Sequence, residues 1–322
     1  MINSLTLSIH KFNFLELHMK KQFLKFAGIG IISLAFFACK EQPVGIDYGN
    51  TQKSDTSYMA PVESPQTKNY YIEEFSGVKC SNCPRGAAKL EAMSNLPENK
   101  DRLKIVTVHA LMLADPDFNK GSKQDLRSID GENIIKLIYG GEVGKPVASF
   151  DRLSIGNLGA QKLVGPDGIW ESMLSKAKTE NPNTPLNLHL TSKEVSANTY
   201  SISVKVAYTQ NVTTPQYLSI YLIEDSIIDK QIDPEIENFT YRHVLRQSIT
   251  PINGVPILDT LATKNAGLVY EANFQFIHEP NAENANKHKN WKMKDIHVVA
   301  FVHNATAGND KRVYQVVDTH LK

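Results

Sequence analysis

Two cysteines stand three residues apart in Cys80-Ser81-Asn82-Cys83, wedged between a strand-like run and a helix-like run. The run before them, Tyr70–Ser76 (YYIEEFS), reads as a buried strand, and Gly77-Val78-Lys79 breaks it. The run after them, Pro84–Leu96, sets Ala87, Leu90 and Met93 on one side of a helix. A strand that stops and turns at once into a helix leaves few folds open. Within that turn the CxxC spacing lets two sulfurs close into a disulfide with little backbone movement. The first sulfur then sits at a helix N-terminus, where unpaired amides and the helix dipole favour a thiolate, and Lys79 adds positive charge beside it. Cys80 is the expected nucleophile, and Cys83, one turn in, the resolving thiol.

The pattern continues with a strand at Leu103–Ala110 (LKIVTVHA), dense in β-branched residues. A polar loop containing Asp115-Pro116-Asp117 follows, then a short helix over about Glu132–Tyr139, ended by Gly140-Gly141. Pro146 opens a third strand, Val147–Arg152, and Asp167–Lys178 places Ile169, Trp170, Met173, Leu174 and Ala177 on one helical stripe. The order β-α-β-α-β-α makes an α/β unit over 69–180. Asn181-Pro182-Asn183-Thr184-Pro185 has linker chemistry, which sets a boundary at 181–186. Beyond it the period switches to two, with Ile202, Val204, Val206 and Tyr208 alternating against polar neighbours. Leu218, Ile220 and Leu222 repeat that alternation, as do Tyr270, Ala272, Phe274 and Phe276. Ile296–Val302 is apolar on both faces, and Arg312–Val317 follows a Gly308-Asn309-Asp310 turn. Several strands with polar turns predict a β-sandwich over 187–322.

The N-terminus is an address. Lys20, Lys21 and Lys25 precede the thirteen-residue apolar stretch Phe26–Ala38, too short for the roughly 20 residues of a bilayer span but suited to a signal peptide. Ala38-Cys39 at its end resembles the lipobox of bacterial lipoproteins, with Phe36 where a leucine is usual. That resemblance implies a signal peptide at 19–38 and lipid on Cys39. Residues 1–18 precede a complete signal with its own methionine, so Met19 is the expected start and 1–18 a start-site artefact. Residues 39–68 lack apolar period and read as a flexible tether, the 29 residues after Cys39 reaching roughly 30 Å root-mean-square as a coil.

Composition excludes several classes. Across 322 residues, 35 basic side chains face 34 acidic ones, which disfavours a nucleic-acid partner; without residues 1–38 the numbers are 31 and 33. Three cysteines exclude a disulfide-dense scaffold and an all-cysteine zinc site. No GxSxG, phosphate-binding glycine loop or HExxH is present, and no cofactor or metal is expected. His297 and His303 share a strand side but stand six residues apart, roughly 20 Å when extended, so they do not form one site. His109 ends its strand near the CxxC, as a tuning group or, more commonly, a core histidine. Arg242 and Arg246, placed on one strand face with Val244, suit a carboxylate or a surface ion pair.

Strand, short loop, CxxC, helix and a later strand opened by proline together resemble the thioredoxin superfamily. The resemblance implies that Pro146, in GKPVASF, is cis, lies against the disulfide and shapes a peptide-docking edge. It also makes Glu74, six before Cys80, the buried acid that relays the resolving thiol's proton, with burial raising its pKa. Lys79 replaces the usual aromatic residue before the first cysteine, and Ser81-Asn82 match neither thioredoxin nor the strong oxidases. The bare spacing is also compatible with an inert structural disulfide, or with half a metal site.

Over about 70–320 the chain is similar to outer-membrane-protein-28-type lipoproteins of Gram-negative bacteria. IEEFSGVKCSNCPRG at 72–86, KPVASFDR at 145–152 and YRHVLR at 241–246 carry the likeness. It implies an outer-membrane lipoprotein held through Cys39, with an α/β thioredoxin-like domain followed by an all-β Ig-like β-sandwich. Two activities are compatible: thiol–disulfide exchange with exported proteins, or a non-enzymatic binding or adhesin-type role with the CxxC as a staple.

Overall fold

The computed structural model describes residues 52–156, 163–280 and 288–322. In chain order the first elements are β1 (Gln52–Met59), β2 (Tyr70–Ser76), α1 (Cys83–Ser94), β3 (Leu103–His109), α2 (Ile129–Ile138) and β4 (Val147–Phe150). Next come β5 (Gly165–Pro166), α3 (Trp170–Glu180), β6 (Leu186–Ser196), β7 (Thr199–Tyr208), β8 (Gln216–Glu224) and β9 (Ile227–Gln231). The chain closes with β10 (Ile236–Tyr241), β11 (Val244–Ser248), β12 (Val255–Pro256), β13 (Leu268–Ile277), β14 (Ile296–Asn304) and β15 (Val313–His320). The protein is β-rich, with several sheets and few helices. No described helix is long and apolar enough to cross a membrane.

One nine-stranded sheet organises the fold in the order β15-β14-β8-β11-β3-β2-β4-β5, with β12 also paired to β8. β2 and β3 run parallel from Tyr70↔Leu103 to Ser76↔His109, and β4 pairs antiparallel with β2. Side-chain alternation sorts the two faces. Ile72, Leu103 and Ile105 pack with Leu90, Met93, Trp170, Met173 and Leu174 of α1 and α3. Tyr71, Phe75, Val106 and Val108 pack with Ile134, Ile135 and Ile138 of α2. β8 alternates likewise: Tyr221 and Ile223 join the α2 cluster, while Leu218, Ile220 and Leu222 meet a second sheet. That second sheet, ordered β1-β13-β7-β6, supplies Ile202, Val204, Val206, Tyr270, Ala272 and Phe274.

Three expectations differ from what is observed. First, the boundary at 181–186 does not separate two sheets. β11 pairs parallel with β3 through Val244↔Thr107, and the Thr107 N–H donates to the His243 carbonyl at 2.7 Å. β11 thereby covers an edge that β3 would otherwise leave open. Within that segment Asn181 is buried and donates to Asp151 Oδ2 (2.9 Å) and the Val313 carbonyl (2.7 Å). Its polar residues satisfy buried groups rather than loosen the chain.

Second, part of the expected tether is a strand. β1 pairs antiparallel with β13 from Tyr58↔Val269 to Asp55↔Ala272. Its sequence, QKSDTSYM, shows no apolar period because an edge strand is held by backbone hydrogen bonds, which any side chain permits. At the tether's end Lys68 is buried in an ion pair with Asp151 (2.8 Å). Third, β9 and β10 form a separate two-stranded hairpin that the periodicity did not announce. The expected start-site segment, the signal peptide and Cys39 lie outside the described residues.

Candidate functional site

Cys80 and Cys83 are joined in a disulfide, with Cα atoms 5.4 Å apart. The loop that carries them leaves β2 at Ser76 and enters α1 at Cys83, and Pro84 occupies the first turn of that helix. Proline suits this position because its missing N–H would have had no helical partner. The Cys80 N–H donates to the Gly77 carbonyl and the Cys83 N–H to the Cys80 carbonyl, both at 3.1 Å. Gly77 leaves no room for a side chain here, since a Cβ would lie 2.4 Å from the Leu113 carbonyl oxygen.

Pro146 follows the cis Lys145–Pro146 peptide. The β2–β4 register, ending at Phe75↔Val147, sets it beside the end of β2 from which the cysteine loop departs. On its other side it touches α1 at Gly86, where an added Cβ would meet Pro146 Cβ and Trp170 Cη2 at 3.0 Å each. Gly86 is the small residue that admits this close approach. Pro146 is thus packed against the first turns of the helix that begins at Cys83.

Both cysteines are only 2% exposed. The β9–β10 hairpin supplies the cover on one side. The Ile232 N–H donates to the Val78 carbonyl at 2.7 Å, and Gln231 Nε2 donates to the Gly77 and Cys80 carbonyls at 3.1 Å each. Tyr241 Oη fixes that amide by donating to Gln231 Oε1 at 2.7 Å. Among the described residues no group of three or more His, Cys, Asp or Glu is arranged to hold a metal.

Glu74 lies on β2 with its carboxyl buried. Oε2 accepts from the Thr107 hydroxyl at 3.0 Å, while Oε1 has no protein partner. Burial pushes its pKa up to about 7, against the lowering effects of the Thr107 bond and the His243 charge. His109 ends β3 and is buried edge-on against Tyr241, ring centroids 5.5 Å apart. Neither ring nitrogen has a partner, and burial, with Lys145 and Arg246 nearby, pushes its pKa down to about 3. It is therefore neutral at physiological pH.

Glu74 and His109 line a cleft of about 640 Å³ that opens beside α1. Its helix wall includes Pro84, next to Cys83, with Ala87 and Ala88; its far wall comes from Phe239, Tyr241 and Arg242. Asp225 stands at the rim, where the His243 N–H (2.6 Å) and ring (3.2 Å) approach it. Burial would raise the Asp225 carboxyl, but these contacts outweigh it and hold the pKa at about 2. His297 and His320, on adjacent strands, are in tilted ring contact with centroids 3.9 Å apart. None of the histidine spacings along the chain revealed this grouping. A signal did exist: YRHVLR contributes Tyr241, Arg242 and His243 to the lining.

The two arginines of that motif part company. Arg242 lies in the β10–β11 connection, 3.9 Å from Glu91 of α1. Arg246, on β11, is buried against Glu224 at 2.8 Å. They do not share a strand face, because Arg242 precedes the strand.

These features define a β-rich protein with a covered CxxC disulfide at a helix N-terminus, beside a cleft with an unpartnered acid. The profile described as outer membrane protein Omp28 matches residues 141–322, more than half of the chain. The chain belongs to the Omp28 family, and the family places it in the outer membrane. No curated protein matches the sequence. Among solved structures, HBP35 of Porphyromonas gingivalis is similar in fold, with a TM-score of 0.57 and 17% identity over 80% of this chain and 77% of that one. A protein from Agrobacterium tumefaciens aligns with a TM-score of 0.45 and 12% identity over 80% and 99% of the two chains. A domain of the outer membrane lipoprotein Omp28 from Porphyromonas gingivalis aligns with a TM-score of 0.30 and 17% identity over 43% and 89%.

Proposed function

We propose that this Omp28-family protein is anchored in the outer membrane by lipid on Cys39 and that its Cys80–Cys83 pair exchanges with disulfides of exported proteins. In this reading the α/β half is thioredoxin-like and the strands that follow form an Ig-like sandwich. Glu74 carries the proposal. A buried carboxyl with one unpartnered oxygen and a pKa near 7 costs the fold stability, and it has the proton affinity that a relay at neutral pH needs.

The step balances as follows. In the reduced protein the Cys80 thiolate attacks a substrate disulfide, forming a mixed disulfide and expelling one substrate thiolate. Cys83 passes its proton to Glu74 and attacks Cys80 Sγ. The Cys80–Cys83 disulfide forms and the second substrate thiolate leaves, so the substrate gains two electrons and the pair loses two. Pro146, packed on α1, shapes the edge along which the substrate chain docks.

A second reading, a binding lipoprotein whose disulfide is a structural staple, is favoured by the 2% exposure of both cysteines. Redox titration of the protein, with alkylation read by mass, separates the two. A potential of roughly −120 to −270 mV supports exchange, and one below about −300 mV makes the pair a staple.

A further inference from the structure

The cleft beside α1 is built like a ligand site. Its volume of about 640 Å³ falls within the range of about 300–1,000 Å³ usual for small-molecule pockets. At its floor two side chains, each at most 2% exposed, have unused hydrogen-bonding atoms: Glu74 Oε1 and both ring nitrogens of His109. Burying such atoms without partners is costly, and a ligand that reaches them recovers that cost. His109 is neutral, so one of its nitrogens offers a lone pair, and Glu74 offers a carboxyl oxygen. Both ask for an N–H donor.

The charge of the lining agrees. Glu74, Glu91, Asp225 and Asp295 are set against Arg242 as the one fixed cation among the described lining residues. His243, on the β10–β11 connection, is the group whose charge reaches Glu74, and it is turned to Asp225. Phe239 and Tyr241, packed edge-to-face at 4.8 Å, give the far wall an aromatic surface of the kind that attracts cations.

We propose that the cleft binds a compact organic cation, an ammonium, amidinium or guanidinium, whose N–H groups are taken by Glu74 and His109. The bound cation holds Glu74 ionised, so binding near neutral pH releases a proton. The site shares Glu74 with the proposed relay but does not rest on that reading, because it is present in the oxidised protein.

Isothermal titration of the oxidised full chain with benzamidine at pH 6.5, in two buffers of different ionisation enthalpy, tests this. Saturable binding with net proton release is expected for benzamidine, and none for benzoate, which has the same shape and the opposite charge. A capped Gly-Arg-Gly peptide run in parallel identifies the source: tighter binding of the peptide marks an arginine side chain, tighter binding of benzamidine a free small cation. Glu74→Gln should lower affinity about tenfold or more. Ala88→Trp, at an exposed position on the helix wall, should block the cleft while leaving the circular dichroism spectrum unchanged. Equal binding of benzoate, no binding of either cation at millimolar concentration, or undiminished affinity in both variants would overturn the proposal.

Discussion

Replacing Arg152 by methionine should unfold this protein more readily than any surface change. Arg152 and Glu73 both have fully buried side chains. Two hydrogen bonds join them, Nε to Oε2 and Nη2 to Oε1, each 3.1 Å. Tyr71 Oη donates to the same carboxylate at 2.8 Å, and Tyr139 Oη donates to its other oxygen. The guanidinium also lies 5.2 Å from the Phe301 ring centroid, so it connects the end of β4 to β14. Methionine fills the stem's volume but leaves the Glu73 carboxylate without its counter-ion. Breaking a buried pair in this way costs about 3–5 kcal/mol. Urea unfolding followed by the fluorescence of buried Trp170 should therefore give a difference of about 3–5 kcal/mol at pH 7.5. A cost under about 1 kcal/mol would refute the assignment of an unscreened buried pair.

Glu74 makes a pH prediction: its folded pKa of about 7 exceeds its ordinary value of 4.5, so the native state loses stability as pH rises between them, by about 3 kcal/mol in total. Glu74→Gln should remove most of that fall between pH 5 and pH 8 in urea midpoints; an unchanged fall would assign it to other groups. Gln231→Ala deletes the amide that bonds the Gly77 and Cys80 carbonyls. Reduction of the disulfide by dithiothreitol, read by alkylation and mass, should then speed up several-fold, and an unchanged rate would show that the hairpin does not limit access.

Much of the candidate site was legible because its signals are local. β2, α1, β3 and β4 follow from runs of β-branched and apolar residues and from the break at Gly77. Pro84 marks the start of α1, and Pro146 precedes β4 beside the end of β2. Glu74 is buried on β2. Its neighbours were not legible. Gln231, Tyr241 and Arg242 lie far along the chain from Cys80 and reach the loop or the cleft only through the packing of β9, β10 and the connection to β11.

The sequence by itself determined the helices, the alternating strands β7, β8, β13 and β14, and the place of the CxxC between strand and helix. Periodicity records which face of each element is buried, and that is fixed within a few turns of chain. Tertiary structure alone decided that β11 would pair with β3 and make one sheet of two sequence regions. It also decided that polar β1 would form an edge strand and that Lys68, Glu73 and Arg152 would be buried. Backbone pairing is nearly indifferent to side-chain identity, so an edge strand leaves no periodic trace. A charged residue reads as exposed until its partner is known, and Asp151 finds Lys68 only when the end of β4 meets the chain entering β2.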